Sequence, residues 1–186
     1  MIHAIVISGS LREKSYNSSI ARLIGSYLET KGVIVKVIPS GELTVPLYNS
    51  DIRLEQFSQE IYNLKKSVEE SDMVVFVSPE YNHSISGVLK NAIDWLSAGE
   101  KNSLDNKVAM ITGVSTGIYG TLRAQRHLRD ILEALNVYIL PQPEVFIGPA
   151  EKVFNDQNEC VDEKVISKIY ALVDKTIVFT EKLKSN

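Results

Sequence analysis

At about 100–200 residues per domain, a chain of 186 residues, 44% apolar and 23% charged, is sized for one globular domain spanning 1–186 and is unlike disordered or fibrous sequences. A formal charge of −3 with both signs interspersed offers no cationic surface for nucleic acid or anionic lipid. A single cysteine, Cys160, excludes an intrachain disulfide and a multi-cysteine zinc site, and fits a reducing cytoplasm.

Short runs rich in β-branched residues at Ala4–Ile7, Val33–Ile38, Met73–Val77, Val108–Ile111 and Val137–Leu140 predict five buried strands. Helical spacing intervenes: Ile20, Leu23, Ile24, Tyr27 and Leu28; then Leu54, Phe57, Ile61, Leu64 and Val68; then Gly87–Leu96; then Leu128, Ile131, Leu132 and Leu135. A last helix runs from about Asp162 to Leu183. Pro39–Arg53 and Gln142–Val161 lack clear periodicity and read as surface loops. Continuous apolar strands alternating with amphipathic helices imply a parallel sheet covered on both faces. Five such units in this length suit a flavodoxin-like, three-layer α/β/α fold with a five-stranded parallel sheet in the order 2-1-3-4-5. No apolar run approaches the ~20 residues that span a bilayer, and the N-terminus lacks the pattern of a signal peptide, so no membrane association is expected.

In such a fold ligands bind beyond the carboxyl ends of the strands. The first strand leads into Ser8-Gly9-Ser10-Leu11-Arg12-Glu13-Lys14-Ser15-Tyr16-Asn17-Ser18-Ser19, which opens a helix. Helix N-terminal amides carry partial positive charge, Ser10, Ser15, Asn17 and Ser18 add donors, and Arg12 adds a cation, a combination suited to phosphate. One or two of these residues suffice to cap the helix. Neither GxxxxGK[ST] nor GxGxxG is present, so a monophosphate is the simpler ligand. After the third strand, Ser78-Pro79-Glu80-Tyr81-Asn82-His83-Ser84 places an aromatic ring among polar groups, as a flat heterocycle would need. After the fourth, Gly113, Gly117 and Gly120 let backbone approach a ligand closely. His3, His83 and His127 have no partners at metal-ligand spacing, so no metal is expected.

Gly9-Ser10-Leu11-Arg12-x-x-Ser15-x-Asn17 and Pro79-Glu80-Tyr81-Asn82-x-Ser84-x-x-Gly87-x-Leu89-Lys90-Asn91-Ala92-Ile93-Asp94-Trp95 resemble the NADPH-dependent FMN reductase family. The resemblance extends through Val45-Pro46-Leu47-Tyr48-Asn49-Ser50-Asp51, the glycine loop with Arg123-Ala124-Gln125, and Leu140-Pro141, and covers roughly residues 2 to 147. It implies bound FMN, with NADPH or NADH as hydride donor and a quinone, azo compound, metal oxyanion or free flavin as acceptor. By position, Ser10, Arg12, Ser15, Asn17 and Ser18 would bind the FMN phosphate. Pro79, Glu80, Tyr81, Asn82, Ser115, Thr116 and Gly117 would border the isoalloxazine. No residue needs to be a nucleophile, because the flavin carries the chemistry. Ser86, where the family often has proline, is expected to loosen the loop, and Thr121 replaces a common glycine. A helix at Gly87–Leu96 that is apolar on more than one face, together with the resemblance, suggests a homodimer or homotetramer. The competing reading is a flavodoxin-type electron carrier, against which the weak net charge counts.

Overall fold

The computed structural model describes residues 1–52 and 56–185; Arg53 and Leu54, read above as loop and helix, lie outside them. The strands are β1 (His3–Ser8), β2 (Ile34–Ile38), β3 (Met73–Val77), β4 (Val108–Val114), β5 (Tyr138–Ile139) and β6 (Val145–Ile147). The helices are α1 (Tyr16–Thr30), α2 (Gln59–Glu69), α3 (Gly87–Ser97), α4 (Leu122–Ala134) and α5 (Glu163–Lys184). All pairings between these strands are parallel, in the order β2-β1-β3-β4-β5, with β6 also on β4. The expected flavodoxin-like order is therefore present.

Among the described residues the strand count is six where five were expected. β5 pairs with Val108 and Ala109 at the start of β4, and β6 pairs with Thr112–Val114 at its end. The two are halves of one edge interrupted by Pro141 and Pro143, which have no N–H to give a ladder. Gln142–Val161 is thus more than a surface loop.

Successive strand residues face opposite layers. Ala4, Val6, Val75 and Met110 pack with Ile20, Ile24 and Leu28 of α1 and Ile169, Leu172 and Val173 of α5. Ile5, Ile7, Val74, Phe76 and Ile111 pack with Leu64 and Val68 of α2, Leu89 and Ile93 of α3, and Leu128 and Leu132 of α4. Serine caps α1, α2 and α3: Ser15, Ser58 and Ser86 accept from the amides of Ser18, Ile61 and Leu89.

The apolar breadth of α3 has a cause inside the chain. Leu89, Ile93, Trp95 and Leu96 are all buried. One face meets the sheet, and the other is covered by the segment after β2. Trp95 donates through Nε1 to the Pro46 carbonyl at 2.7 Å and meets Tyr48 and Phe57 edge-on. Asn91 accepts from the Tyr48 amide at 2.7 Å and donates to the Pro46 carbonyl at 2.9 Å. The expectation that this helix offers a free association face is overturned.

Candidate functional site

A cavity of about 180 Å³ opens where the ends of β1, β3 and β4 meet α1, lined by Ser10, Arg12, Ser15, Tyr16, Asn17, Pro79, Glu80, Tyr81, Val114, Ser115 and Thr116. It brings together residues from all three loops singled out in the sequence. Ser10 and Ser15 are buried. Each hydroxyl oxygen accepts an amide, Arg12 N at 3.4 Å and Ser18 N at 3.3 Å, and neither hydroxyl hydrogen has an acceptor among the described residues. The first-turn amides of Tyr16 and Asn17 are likewise unpaired there, as expected of helix N-terminal amides. The exposed Arg12 guanidinium forms no hydrogen bond or ion pair with the described residues. Donors outnumber acceptors, and a cation stands beside them. That set fits an anion such as a phosphate.

Asn17 and Ser18, expected among the phosphate donors, have other side-chain partners. The Asn17 carboxamide accepts from Val114 N at 2.8 Å and donates to Val114 O at 3.0 Å, clamping α1 onto the end of β4. Ser18 Oγ lies 3.1 Å from Ser8 Oγ. Ser18, Asn82 and Gly117 do not line the cavity.

Pro79 is buried, while Tyr81 is 46% exposed. Tyr81 and Ser84 exchange backbone hydrogen bonds of 2.9 and 3.0 Å around Asn82 and His83, whose φ angles are 49° and 65°. This is a tight turn of the primed kind, with two non-glycine residues in the left-handed region. Asn82 and His83 are held at its exposed tip. The Glu80 side chain turns away from them: its Oε2 accepts from the amides of Arg123 at 2.9 Å and Ala124 at 3.0 Å. It thereby caps α4, which Thr121 leaves without a side-chain cap.

The third loop rests on β6. Ser115 N donates to Ile147 O and Ala150 N to Ser115 O, both at 3.0 Å, while Gly117 N donates to Ser115 Oγ at 3.1 Å. Gly120 has φ +58°, and a Cβ there would come within 2.8 Å of Ile147 N. Thr121 is fully buried with its hydroxyl accepting from Gln125 Nε2 at 2.9 Å.

Ser86 tightens the site instead of loosening it. Its hydroxyl donates to Gly9 O at 2.5 Å while its oxygen caps α3 at Leu89 N, joining the first loop to α3. His127, which has no partner at metal-ligand spacing in the sequence, lies 3.0 Å through Nδ1 from Ser84 Oγ. The roles that the sequence did not show are those of Tyr16, Val114, Ser86 and His127, together with the β6 support. Val145-Phe146-Ile147 is a short apolar run, too brief to be recognised as a strand. Burial pushes the Cys160 thiol up, so it is poorly suited to act as a thiolate.

A doubly wound sheet with a donor-lined cavity at the start of its first helix, flanked by aromatic and glycine loops, is an α/β architecture of flavodoxin type. The sequence model for NADPH-dependent FMN reductase matches residues 2–152. An NAD(P)H-dependent FMN reductase of Pseudomonas aeruginosa is 41% identical over 165 residues, 88% of this chain and 86% of that protein. A quinone reductase of Escherichia coli K12 is 32% identical over 185 residues, 98% of this chain and 97% of the other. Among solved structures, the flavoenzyme NAD(P)H:(acceptor) oxidoreductase FerB of Paracoccus denitrificans superposes with a TM-score of 0.87 at 28% identity, covering 98% of each chain. The chain belongs to the NADPH-dependent FMN reductase family and is an oxidoreductase.

Proposed function

We propose that the protein binds FMN in this cavity and passes reducing equivalents from NADPH or NADH to a small acceptor in a two-step exchange. The acceptor is a quinone, azo compound, metal oxyanion or free flavin. The observation that carries the reading is the cradle of unspent donors: Ser10 and Ser15 hydroxyls, first-turn amides of α1 and the free Arg12 guanidinium.

In this reading Ser10, Ser15 and Arg12 hold the FMN phosphate. Asn17 contributes its backbone amide, while its side chain and Ser18 fix the helix that presents them. Pro79, Tyr81, Asn82 and the Ser115, Thr116 and Gly117 backbone border the ring, and Glu80 holds that border in place. When bound, FMN supplies the hydride-accepting and hydride-donating chemistry. The protein orients donor and acceptor in turn over one opening, since there is no dinucleotide fingerprint to hold a nicotinamide separately. Residues 1–186 act as one domain, in the cytoplasm, where Cys160 stays reduced. A homodimer or homotetramer would cover Leu47, Ile118 and Tyr119, which are 83%, 73% and 61% exposed.

Two measurements test this. The purified protein should show a bound-flavin absorption spectrum that bleaches on anaerobic addition of NADPH or NADH. Steady-state rates with NADPH and a quinone should give parallel double-reciprocal lines, the mark of a ping-pong exchange. Reduction by a reductase protein but by neither nicotinamide would replace this reading with an electron carrier.

A further inference from the structure

The Tyr81–Ser84 turn is attached to α4 at both of its feet. On the N-terminal side, Glu80 Oε2 accepts the amides of Arg123 and Ala124. On the C-terminal side, Ser84 Oγ meets His127 Nδ1 at 3.0 Å. The first attachment is to first-turn amides of α4 and the second to a side chain one turn further on, so both lie at the N-terminal end of that helix. Between the feet, Asn82 and His83 both adopt left-handed backbone angles, which persist where surrounding structure dictates them. The helix that grips this turn also follows directly from the glycine loop at Ser115–Gly120.

We propose that Glu80 and His127 are positioning residues that fix the turn on α4, so that the turn and the glycine loop flank the cavity as one body. Neither side chain needs to touch the ligand. The Glu80 carboxylate supplies acceptors where the helix lacks them, and its ion pair with Arg123, at 3.6 Å from the half-exposed guanidinium, is secondary. The amides do the holding, and they belong to the backbone.

This inference rests on the FMN reading, and the test separates the two. Apoprotein is titrated with FMN by fluorescence quenching, and amide exchange of the same apoprotein is followed at Tyr81 and Ser84. Glu80→Ala should weaken FMN binding by about tenfold and speed exchange at both amides, as expected when two hydrogen bonds to a charged group are lost. Glu80→Gln should stay within about threefold of the parent, because one carboxamide oxygen can accept both amides as Oε2 does. Arg123→Ala keeps its amide and should leave both readouts unchanged. His127→Ala should speed exchange at Ser84 more than at Tyr81 and weaken FMN several-fold. The proposal is overturned if Glu80→Ala leaves exchange at the turn unchanged. It is overturned equally if Glu80→Gln is as weak as Glu80→Ala, since the charge would then act directly. Exchange raised evenly through the whole sheet would mark a purely structural role and overturn it too. If the parent protein binds no FMN, the functional reading falls, and the exchange result alone still decides the anchor.

Discussion

Arg12 in the first loop and Asn17 in the first turn of α1 sit five positions apart and do opposite kinds of work. Arg12 is exposed and has no partner among the described residues, so its guanidinium contributes nothing that the fold needs. Arg12→Ala should therefore weaken FMN binding by about 1.5–3 kcal/mol, the range for a hydrogen bond to a charged group, with an unchanged melting temperature of the apoprotein. Unchanged affinity on titration would remove the cation from the cradle. Asn17 is 5% exposed, and its carboxamide satisfies both backbone groups of Val114. Asn17→Ala strands that N–H and that C=O in the interior, at about 1–3 kcal/mol for each group left unpaired. Urea unfolding should show the loss in the apoprotein, where a residue used only for ligand would show none. The sequence revealed the hydroxyl-rich loop because its density exceeds what one helix cap needs. It could not reveal the clamp, since Val114 lies 97 positions away and either residue looks ordinary alone. Ser86 is similar: its acceptor Gly9 is 77 positions distant, and only the fold shows that a serine there ties two loops together.

Elements show the same division between local pattern and distant partner. Periodicity placed α3 correctly, but its breadth of apolar surface invited a partner chain. The covering element is the segment around Pro46 and Tyr48, which has no period and so no signature of packing. Asn91→Ala removes the hydrogen bonds that hold Val45, Pro46 and Tyr48 onto α3. It should cost about 1–3 kcal/mol and raise proteolytic cleavage within 45–52, with the helical circular dichroism signal retained. Cleavage no faster than in the parent would mean that Trp95 and its aromatic neighbours suffice. β6 escaped for a different reason. It is three residues long between prolines and glycine, below the length at which alternation or β-branching can be recognised, and its stability comes from pairing with β4. Yet it carries the Ser115 loop. The primed turn at Asn82 and His83 was equally hidden, because its usual marker is a glycine and this sequence has none there.

On the scale of the whole molecule, topology was the most legible feature, since five β-α units with continuous apolar strands leave few arrangements of a parallel sheet. The order places all three unusual loops at one end, which is why their convergence could be anticipated. The opposite end holds the closure of the chain. Lys184 of α5 pairs with Asp72 at 2.7 Å and donates to Met1 O at 3.2 Å, while Asp72 also accepts from His3 N at 2.9 Å. One carboxylate thus gathers the start of β1, the start of β3 and the end of α5. Partial burial would raise the Asp72 carboxyl, but the Lys184 ammonium and the His3 amide outweigh it and hold the group below the ordinary aspartate value. A carboxyl depressed in the folded state binds its proton more readily once unfolded. Its contribution to stability is therefore present above the unfolded value of about 3.9 and is lost as pH falls through the lower folded value. Asp72→Asn keeps an acceptor for His3 but has no charge for Lys184 and no proton to gain. Parent and variant should differ most in melting temperature near neutral pH, with the parent higher, and the gap should close as the pH drops below the aspartate range. The cavity lies at the other end of the sheet, so FMN affinity at neutral pH should be the same in both proteins. A gap that stays constant across the acid range would show that Asp72 works through shape and hydrogen bonding alone, and that the closure of the chain ends owes nothing to charge.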